Sequence, residues 1–350
     1  MKLTVKALAV GLPLLGMCFG LTANADAQTT LRVSSWAPPL HPVTTEIFGK
    51  WAEDVERVTE GRVKTEMLGA PLGAPPAYFD LVSKGVVDVS FITHDFLPNR
   101  FVLSGLSQLP FSTFSAEVSS VALWRTHEEM LAKFNEHQGV KVLGLMVHGP
   151  GQMFTTDRKL TSLADFDGLK MRSSAAIQTA VLELVGASPV AAPPTKSYEV
   201  MSHGVVDGTA FPAESMAGFN LIPLTKYELA VPGGFYTTSF VIMMNQAKWD
   251  SITPEDQEAI MGISGEYLSR RAGAVWDASD AAAIKELEAA NVETVTAEGA
   301  FLDELHAKLD PLRQDWLDRA SAKGLDAEAA LEFYISQVDA VKAEKAATAN

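Results

Sequence analysis

Cysteine is almost absent from this sequence of 350 residues, which contains only Cys18. Because Cys18 lies in a leader-like segment at the N-terminus, the remaining chain cannot form a disulfide, use a thiol nucleophile or bind a metal through cysteine. Basic side chains are also scarce, with 28 Lys and Arg against 43 Asp and Glu and a formal net charge of −15. This excess of negative charge argues against nucleic acid or an anionic lipid surface as the partner.

The short motifs of common enzymes are missing too. Phosphate-binding loops and the GxGxxG, HExxH, GxSxG and EF-hand patterns do not occur. The 7 histidines are scattered along the chain without the spacing of metal ligands. We therefore expect a protein that is not an enzyme and that uses no cofactor and no metal.

A basic and then apolar segment opens the chain. Lys2 and Lys6 precede the apolar stretch from Ala7 to Leu21, and Ala25-Asp26-Ala27 has the pattern of a cleavage site. A retained membrane anchor is the alternative, but the stretch is short for a span of about 20 residues and contains a proline. The pattern predicts a signal peptide over residues 1–27, its removal, and a periplasmic location.

One short sequence, Ser-x-Gly-Val-Val-Asp, occurs at residues 83–88 and again at 202–207. Each copy follows a short helical pattern and precedes an apolar run, and its glycine stands where a helix ends in the left-handed conformation. The chain also begins with a strand, helix and strand pattern at 30–35, 44–59 and 63–68, which is typical of a parallel sheet. We predict an α/β fold of two similar lobes with parallel or mixed sheets.

Later segments extend this pattern. A fully apolar run from Thr238 to Asn245 predicts a strand inside a parallel sheet, and 255–290 predicts a nearly uninterrupted helix of about 50 Å that could brace both lobes. Further strands are predicted at 140–147, 169–172 and 291–296, and helices at 175–185 and 302–343. The predicted division is lobe I at 28–147 and 237–265, lobe II at 148–236 and 266–300 with the bridging helix, and C-terminal helices at 301–350.

Arg172 is the strongest candidate for binding chemistry. It lies at the C-terminal end of a predicted strand, and Ser173 or Ser174 could cap the next helix, so that the guanidinium and free helix N–H groups would face one anion. Ligands of open α/β sheets bind at such strand ends, and arginine matches a carboxylate with two parallel hydrogen bonds. An ordinary surface ion pair is the alternative.

Three longer motifs lie in the middle of the chain: SLADFxGLKMR at 162–172, VGASPV at 185–190 and GVVDG at 204–208. In these motifs the sequence resembles the DctP-type solute-binding proteins of TRAP (tripartite ATP-independent periplasmic) transporters. The resemblance extends over nearly the whole chain after the leader through TLRVSSW at 30–36, ExxTEGRV at 56–63, LPF at 109–111 and MNQAKWD at 244–250. The order and spacing of these pieces are more specific than any one of them.

The resemblance implies a two-lobe, type II-like periplasmic solute-binding protein that closes on a small organic acid and delivers it to TRAP membrane subunits. In the family, the arginine matching Arg172 pairs with the carboxylate, Gln152 matches a segment that reaches the ligand, and Phe211 matches an aromatic on the pocket wall. Some members bind a cation through an acidic residue where this chain has Ala210, so no metal is expected, although Glu214 could accept a hydrogen bond from the solute.

Residues that follow other predicted strands complete the candidate site. We predict that they form an aromatic, histidine-containing pocket with one anion anchor, suited to a monocarboxylate with an apolar or aromatic body. The further candidates are Trp36, His41, His94, Phe96, His148, Phe154 and Tyr236.

Three other functions stay open at this stage. An ABC-type receptor differs from a TRAP receptor in mostly lacking a single long helix across both lobes, whereas a sensor module would bind the solute in the same way. A periplasmic hydrolase or lyase could use a carboxylate and histidine pair such as Glu214 with His94, and turnover of a bound acid would reveal it. A monomer is expected, and the identity of the solute is open.

Overall fold

The structure is a computed structural model that describes residues 1, 4 and 28–348. Almost all of the predicted signal peptide, including Cys18, lies outside these residues. Among the helices described, none is long and apolar enough to cross a membrane.

The described strands form two separate sheets. They are β1 (Thr29–Val33), β2 (Val63–Met67), β3 (Val89–Thr93), β4 (Val140–Val147), β5 (Gln152–Thr155), β6 (Lys170–Ser173), β7 (Ser188–Ala191), β8 (Gly208–Phe211), β9 (Tyr227–Ala230), β10 (Ser239–Asn245) and β11 (Glu293–Thr296). The first sheet has the order β2-β1-β3-β10-β4, and the second has the order β11-β9-β5-β8-β6-β7. The predicted two-part α/β organisation is confirmed.

Both sheets are mixed, which agrees with the predicted parallel or mixed sheets, but the direction predicted for one strand was wrong. Strand β10, predicted inside a parallel sheet, runs antiparallel to both β3 and β4. All seven of its residues are buried. A continuous apolar run indicates that a strand is buried on both faces, but it does not indicate the direction of the neighbouring strands. In the second sheet β5 is antiparallel to β8 and β9, while β6 is parallel to β7 and β8.

The repeated Ser-x-Gly-Val-Val-Asp has the same role in each sheet. Gly85 and Gly204 end short helices with φ of +71° and +65°, a conformation that glycine adopts without strain. The aspartate carboxylates then bind neighbouring backbone: Asp88 accepts from the Arg32 amide and Asp207 from the Lys170 amide, both at 2.8 Å. Each copy therefore joins a helix to a strand and fixes that strand beside its parallel neighbour.

Helices cover both sheets. They are α1 (Lys50–Val58), α2 (Tyr78–Ser83), α3 (Ala116–Thr126), α4 (Ala176–Val185), α5 (Ser197–Ser202), α6 (Ala213–Gly218), α7 (Gln246–Asp250), α8 (Pro254–Gly262), α9 (Gly265–Ala289), α10 (Gly299–Leu309), α11 (Pro311–Ala322) and α12 (Ala327–Thr348). A π-helical turn, Val43–Gly49, precedes α1. The helix predicted at 255–290 is broken between α8 and α9, because Gly265 has φ of +61°.

The long helix α9 bridges the two sheets through its acidic side chains. Its 25 residues span about 37 Å at 1.5 Å per residue. The Asp277 carboxylate accepts from Ser115 Oγ and from the Ala116 amide, both at 2.6 Å, at the start of α3. One turn later Asp280 accepts from the Glu214 amide at 2.7 Å, at the start of α6. Since α3 packs on the first sheet and α6 follows β8 of the second, α9 caps one helix on each side.

Candidate functional site

A cavity with about 500 Å³ of empty space lies between the two sheets. The carboxyl ends of β1, β3, β6 and β8 point to it, which is the usual ligand side of parallel strands. Residues from both sheets and from α9 line it: Trp36, Ala37, His41, Val43, Phe91, Thr93, Phe96, His148, Ser174, Ala175, Gln178, Pro194, Phe211, Pro212, Ser215, Phe219, Thr238, Phe240 and Trp276.

The walls of the cavity are largely aromatic. On the side of the first sheet, Trp36 stacks on Phe91 with ring centroids 4.6 Å apart, and its Nε1 donates to the Phe91 carbonyl at 3.1 Å. On the side of the second sheet, Phe211 stacks on Phe219 at 5.7 Å. Flat apolar walls of this kind favour a planar apolar body and exclude water from any polar group beside them.

Arg172 stands directly behind the Phe211 wall. Its guanidinium carbon lies 4.2 Å from the centre of the Phe211 ring, and the residue is completely buried. Nε donates to the Ala192 carbonyl at 3.0 Å, but Nη1 and Nη2 have no partner. Burial lowers the pKa of Arg172 to about 9, so the group is still charged at neutral pH. A buried cation with two unpaired nitrogens can hold an anion with little competition from water.

The sequence predicted free N–H groups at the start of α4 beside Arg172, but the amides just before the helix and the Ile177 amide in its first turn already have partners. Gln178 reaches back, and its Oε1 accepts from the Ser174 amide at 2.7 Å and the Ala175 amide at 3.3 Å. Its Nε2 donates to the Tyr236 hydroxyl at 2.7 Å. The predicted caps were wrong, because neither Ser173 nor Ser174 caps the helix and Gln178 takes these donors instead. Gln178 thereby holds Tyr236 near the guanidinium.

Two contacts join the facing sides of the cavity. Asp95, which follows β3, accepts a hydrogen bond from the Ile177 amide of α4 at 3.3 Å. His41, which follows β1, places Nε2 3.1 Å from Glu214 Oε1 of α6. Since α4 and α6 belong to the second sheet's side, these two contacts connect the two sides of the cavity.

The His41 and Glu214 contact is not an ion pair. Burial lowers the pKa of His41 to about 4. Burial and the nearby Asp280 raise the pKa of Glu214 to about 8, and burial also raises the pKa of Asp280 to about 7. At neutral pH the imidazole is therefore neutral and the Glu214 carboxyl is mostly protonated, so this end of the cavity has hydrogen-bonding groups without a strong charge.

Several predicted site residues do line the cavity, namely Trp36, His41, Phe96, His148 and Phe211. His148 is fixed by backbone contacts, with its Nδ1 2.6 Å from the Gly149 carbonyl oxygen and its Nε2 accepting from the Thr238 amide at 3.1 Å. Tyr236 and Glu214 stand just behind the lining, beside Gln178 and His41 respectively.

Three predicted residues are not brought to the cavity. Gln152 binds the Val231 backbone through both side-chain atoms, at 3.1 and 2.9 Å. Phe154 is fully buried in a core cluster of the second sheet. His94 packs in the first sheet's core, where its Nε2 lies 2.9 Å from the Nε2 of His137. The Glu214 and His94 pair considered for a hydrolase is therefore not formed, because His41 occupies the place beside Glu214.

The sequence missed about half of the aromatic lining. Phe91 and Phe240 lie in strands that the sequence assigned to buried sheet, and nothing in a fully apolar run marks the residue that reaches the cavity. Phe219 directly follows α6 and Trp276 lies in α9, and only the docking of these two helices brings them here. Gln178 carried one signal, because a glutamine at the third position of a helix often bonds back to the helix start.

Glu214→Gln should remove a pH dependence of stability. The folded protein keeps the Glu214 proton up to about pH 8, whereas an unfolded chain releases it near 4.5, so the folded state binds more protons between these values. The free energy of unfolding of the wild type, relative to the variant, should thus fall by about 1 kcal/mol per pH unit from pH 5.5 to 8. Urea unfolding at several pH values measures this slope. Exposed Glu332→Gln is the matched control, and a wild-type slope in the Gln variant would contradict the buried neutral carboxyl.

The protein family, the curated relatives and the solved structures that match this chain agree with one another. The profile of the bacterial extracellular solute-binding proteins of family 7 (DctP) matches residues 33–319. A relative named outer membrane transporter protein TsaT, from Comamonas testosteroni, is 34% identical over 340 residues, which are 97% of this chain and 98% of the relative.

Two solved structures share the fold. A TRAP periplasmic solute-binding protein from Bordetella bronchiseptica with bound (R)-mandelate and (S)-mandelate is 38% identical, with a TM-score of 0.87 over 89% of this chain and 99% of the other. A TRAP solute-binding protein from Rhodoferax ferrireducens in complex with copurified benzoate is 28% identical, with a TM-score of 0.83 over 91% and 99% of the two chains.

Proposed function

The chain belongs to the bacterial extracellular solute-binding proteins of family 7 and is a solute-binding protein of the TRAP type, and from this premise we propose that its solute is a small aromatic monocarboxylate. The observation that carries the proposal is the buried Arg172 guanidinium, whose two terminal nitrogens have no partner in the protein. A carboxylate would accept from both nitrogens in parallel, which satisfies the donors and neutralises the charge in one contact.

The aromatic body of the solute is inferred from the cavity walls. Trp36, Phe91, Phe211 and Phe219 present flat apolar surfaces on facing sides, between which a planar apolar ring would fit. None of the described residues that line the cavity is Lys or Arg. The cation that the site does offer, Arg172, lies just behind Phe211, so the site suits a solute with one carboxylate better than a solute with two. The mandelate and benzoate of the two solved relatives are acids of this class.

The proposed site separates residues that touch the solute from residues that support them. Trp36, His41, Phe96, His148 and Phe211 would contact the solute. Tyr236 and Gln178 would orient Arg172, while the bonds of Gln152 to Val231 and the core packing of Phe154 and His94 would hold the surrounding framework.

The names of relatives support a proposal for the location and the partners. Relatives of this family are named periplasmic binding proteins, and we propose that this chain also acts in the periplasm after removal of residues 1–27, as a monomer that delivers its solute to TRAP membrane subunits. The division proposed from the sequence, 28–147 with 237–265 and 148–236 with 266–300, would give the two lobes that close on the solute.

Isothermal titration of the purified protein tests the proposed solute class. Benzoate and mandelate should bind, and at 100 times Kd each should stabilise the fold by about 2.7 kcal/mol. Benzamide is the matched control, because it keeps the ring and shape of benzoate but cannot neutralise Arg172. Succinate and glucuronate test the preference for a single carboxylate on an apolar body. Tight binding of either of these two, with no binding of the aromatic acids, would overturn the proposal.

A further inference from the structure

Two buried polar atoms at one end of the cavity lack any hydrogen-bond partner. They are Trp276 Nε1, a donor, and Glu214 Oε1, in side chains that are 95% or more removed from solvent, since Trp276 is 5% and Glu214 2% exposed. Unsatisfied buried polar groups cost free energy and are rare in native proteins. Trp276 lines the cavity, and Glu214 lies just behind the lining beside His41, so a polar group of the solute at this end could satisfy these atoms.

His41 adds a second donor at the same end. Its Nδ1 accepts from the Val43 amide at 3.3 Å, and a neutral imidazole whose Nδ1 accepts has its proton on Nε2. Nε2 lies 3.1 Å from Glu214 Oε1, yet the alignment leaves that oxygen without a hydrogen bond. We call His41, Glu214 and Trp276 the far cluster.

The far cluster lies opposite Arg172 across the cavity. In one direction around the wall, Arg172 stacks on Phe211, Phe211 on Phe219 at 5.7 Å, and Phe219 contacts His41 at 5.4 Å. In the other direction, Tyr236 near Arg172 contacts His148 at 5.6 Å.

The same wall closes at Trp276. The His148 ring lies 6.0 Å from the Trp276 ring, which in turn lies 6.0 Å from the His41 ring. Two side chains therefore separate Arg172 from the far cluster on each side. A solute held by its carboxylate at Arg172 would direct the opposite edge of its ring towards the far cluster.

We propose, on the basis of the aromatic-acid function proposed above, that the far cluster recognises a hydroxyl group on the solute ring at a position remote from the carboxylate. A hydroxyl can accept from Trp276 Nε1 or His41 Nε2 and donate to Glu214 Oε1, which satisfies the unpaired atoms. A second carboxylate would meet no cation there and would lie beside the acidic Glu214 and Asp280. The far cluster thus selects a hydroxylated aromatic acid rather than a dicarboxylate.

The test is the ratio of two affinities in one protein. Titration should show that the better ligand of 3- and 4-hydroxybenzoate binds about tenfold more tightly than benzoate, as for one or two satisfied hydrogen bonds. The isomer 2-hydroxybenzoate, with its hydroxyl beside the carboxylate, should gain nothing. If no benzoate derivative binds, the proposed function fails; if benzoate binds and none of the hydroxyl groups improves affinity, only the far cluster proposal fails.

Variants then assign the preference to residues. Trp276→Phe and Glu214→Met should lower the affinity ratio towards one, whatever they do to benzoate binding itself. Trp36→Phe is the matched control, because Trp36 Nε1 already donates to the Phe91 carbonyl, so this variant should weaken both ligands and keep the ratio. The proposal is overturned if Trp276→Phe and Glu214→Met leave the ratio of hydroxybenzoate to benzoate affinity unchanged. It is also overturned if Trp36→Phe lowers this ratio as much as they do.

Discussion

Arg172→Met is expected to abolish solute binding without destabilising the protein in the absence of solute. Loss of the carboxylate's charged partner in a buried site costs about 2 to 5 kcal/mol, or about 30-fold to several-thousand-fold in affinity. Without solute, by contrast, the free energy of unfolding of the variant should not fall below that of the wild type. Two guanidinium nitrogens are buried without partners, and the burial of an unpaired charge opposes folding.

Two measurements separate these effects. Calorimetric titration with benzoate reports the affinity, and urea unfolding without solute reports a free energy equal to or greater than that of the wild type. Arg172→Lys keeps the charge but not the planar pair of donors, so it should still lose at least about tenfold in affinity. The assignment of Arg172 is wrong if the Met variant binds with wild-type affinity. Loss of several kcal/mol of stability in the empty Met variant would show instead that Arg172 is a structural residue.

Gly273→Ala should destabilise the protein by about 3 kcal/mol, although alanine is the better helix former. A Cβ atom at this position in α9 would lie 2.4 Å from the Glu117 Cα and 2.5 Å from the Ala116 carbonyl oxygen at the start of α3. Both atoms belong to the backbone, so no side-chain rotation relieves the clash and the two helices must separate. Separation would also weaken the hydrogen bonds of Asp277 to Ser115 and Ala116.

Gly262→Ala is the matched control, because a Cβ atom there would meet nothing within 4 Å. This variant should be neutral or stabilising by up to about 1 kcal/mol, through the lower conformational entropy of the unfolded chain. Urea midpoints of the two variants and the wild type check the prediction. Equal midpoints for both variants would show that α9 and α3 are not held at the distance that the structure gives.

The local pattern of the sequence predicted most of the secondary structure. Val140–Val147 was predicted to the residue, since a continuous apolar run reports burial on both faces. The glycines of the repeated Ser-x-Gly-Val-Val-Asp predicted the helix ends, because the left-handed conformation at the end of a helix depends on the residue at that position alone. The pattern could not give the direction of β10, because direction depends on which strands it joins and not on its own residues.

For the site, the sequence by itself determined the class of the protein and predicted Arg172 as the anion anchor. Arg172 lies near the end of a strand, in a segment that resembles one family, and both features are local to the chain. Tertiary structure alone decided that His41 rather than His94 meets Glu214, and that Trp276 of α9 lines the cavity. The physical reason is that these contacts join residues far apart in the sequence. Which side chains meet in a packed interior depends on how the helices dock, and the spacing of residues along the chain does not report it.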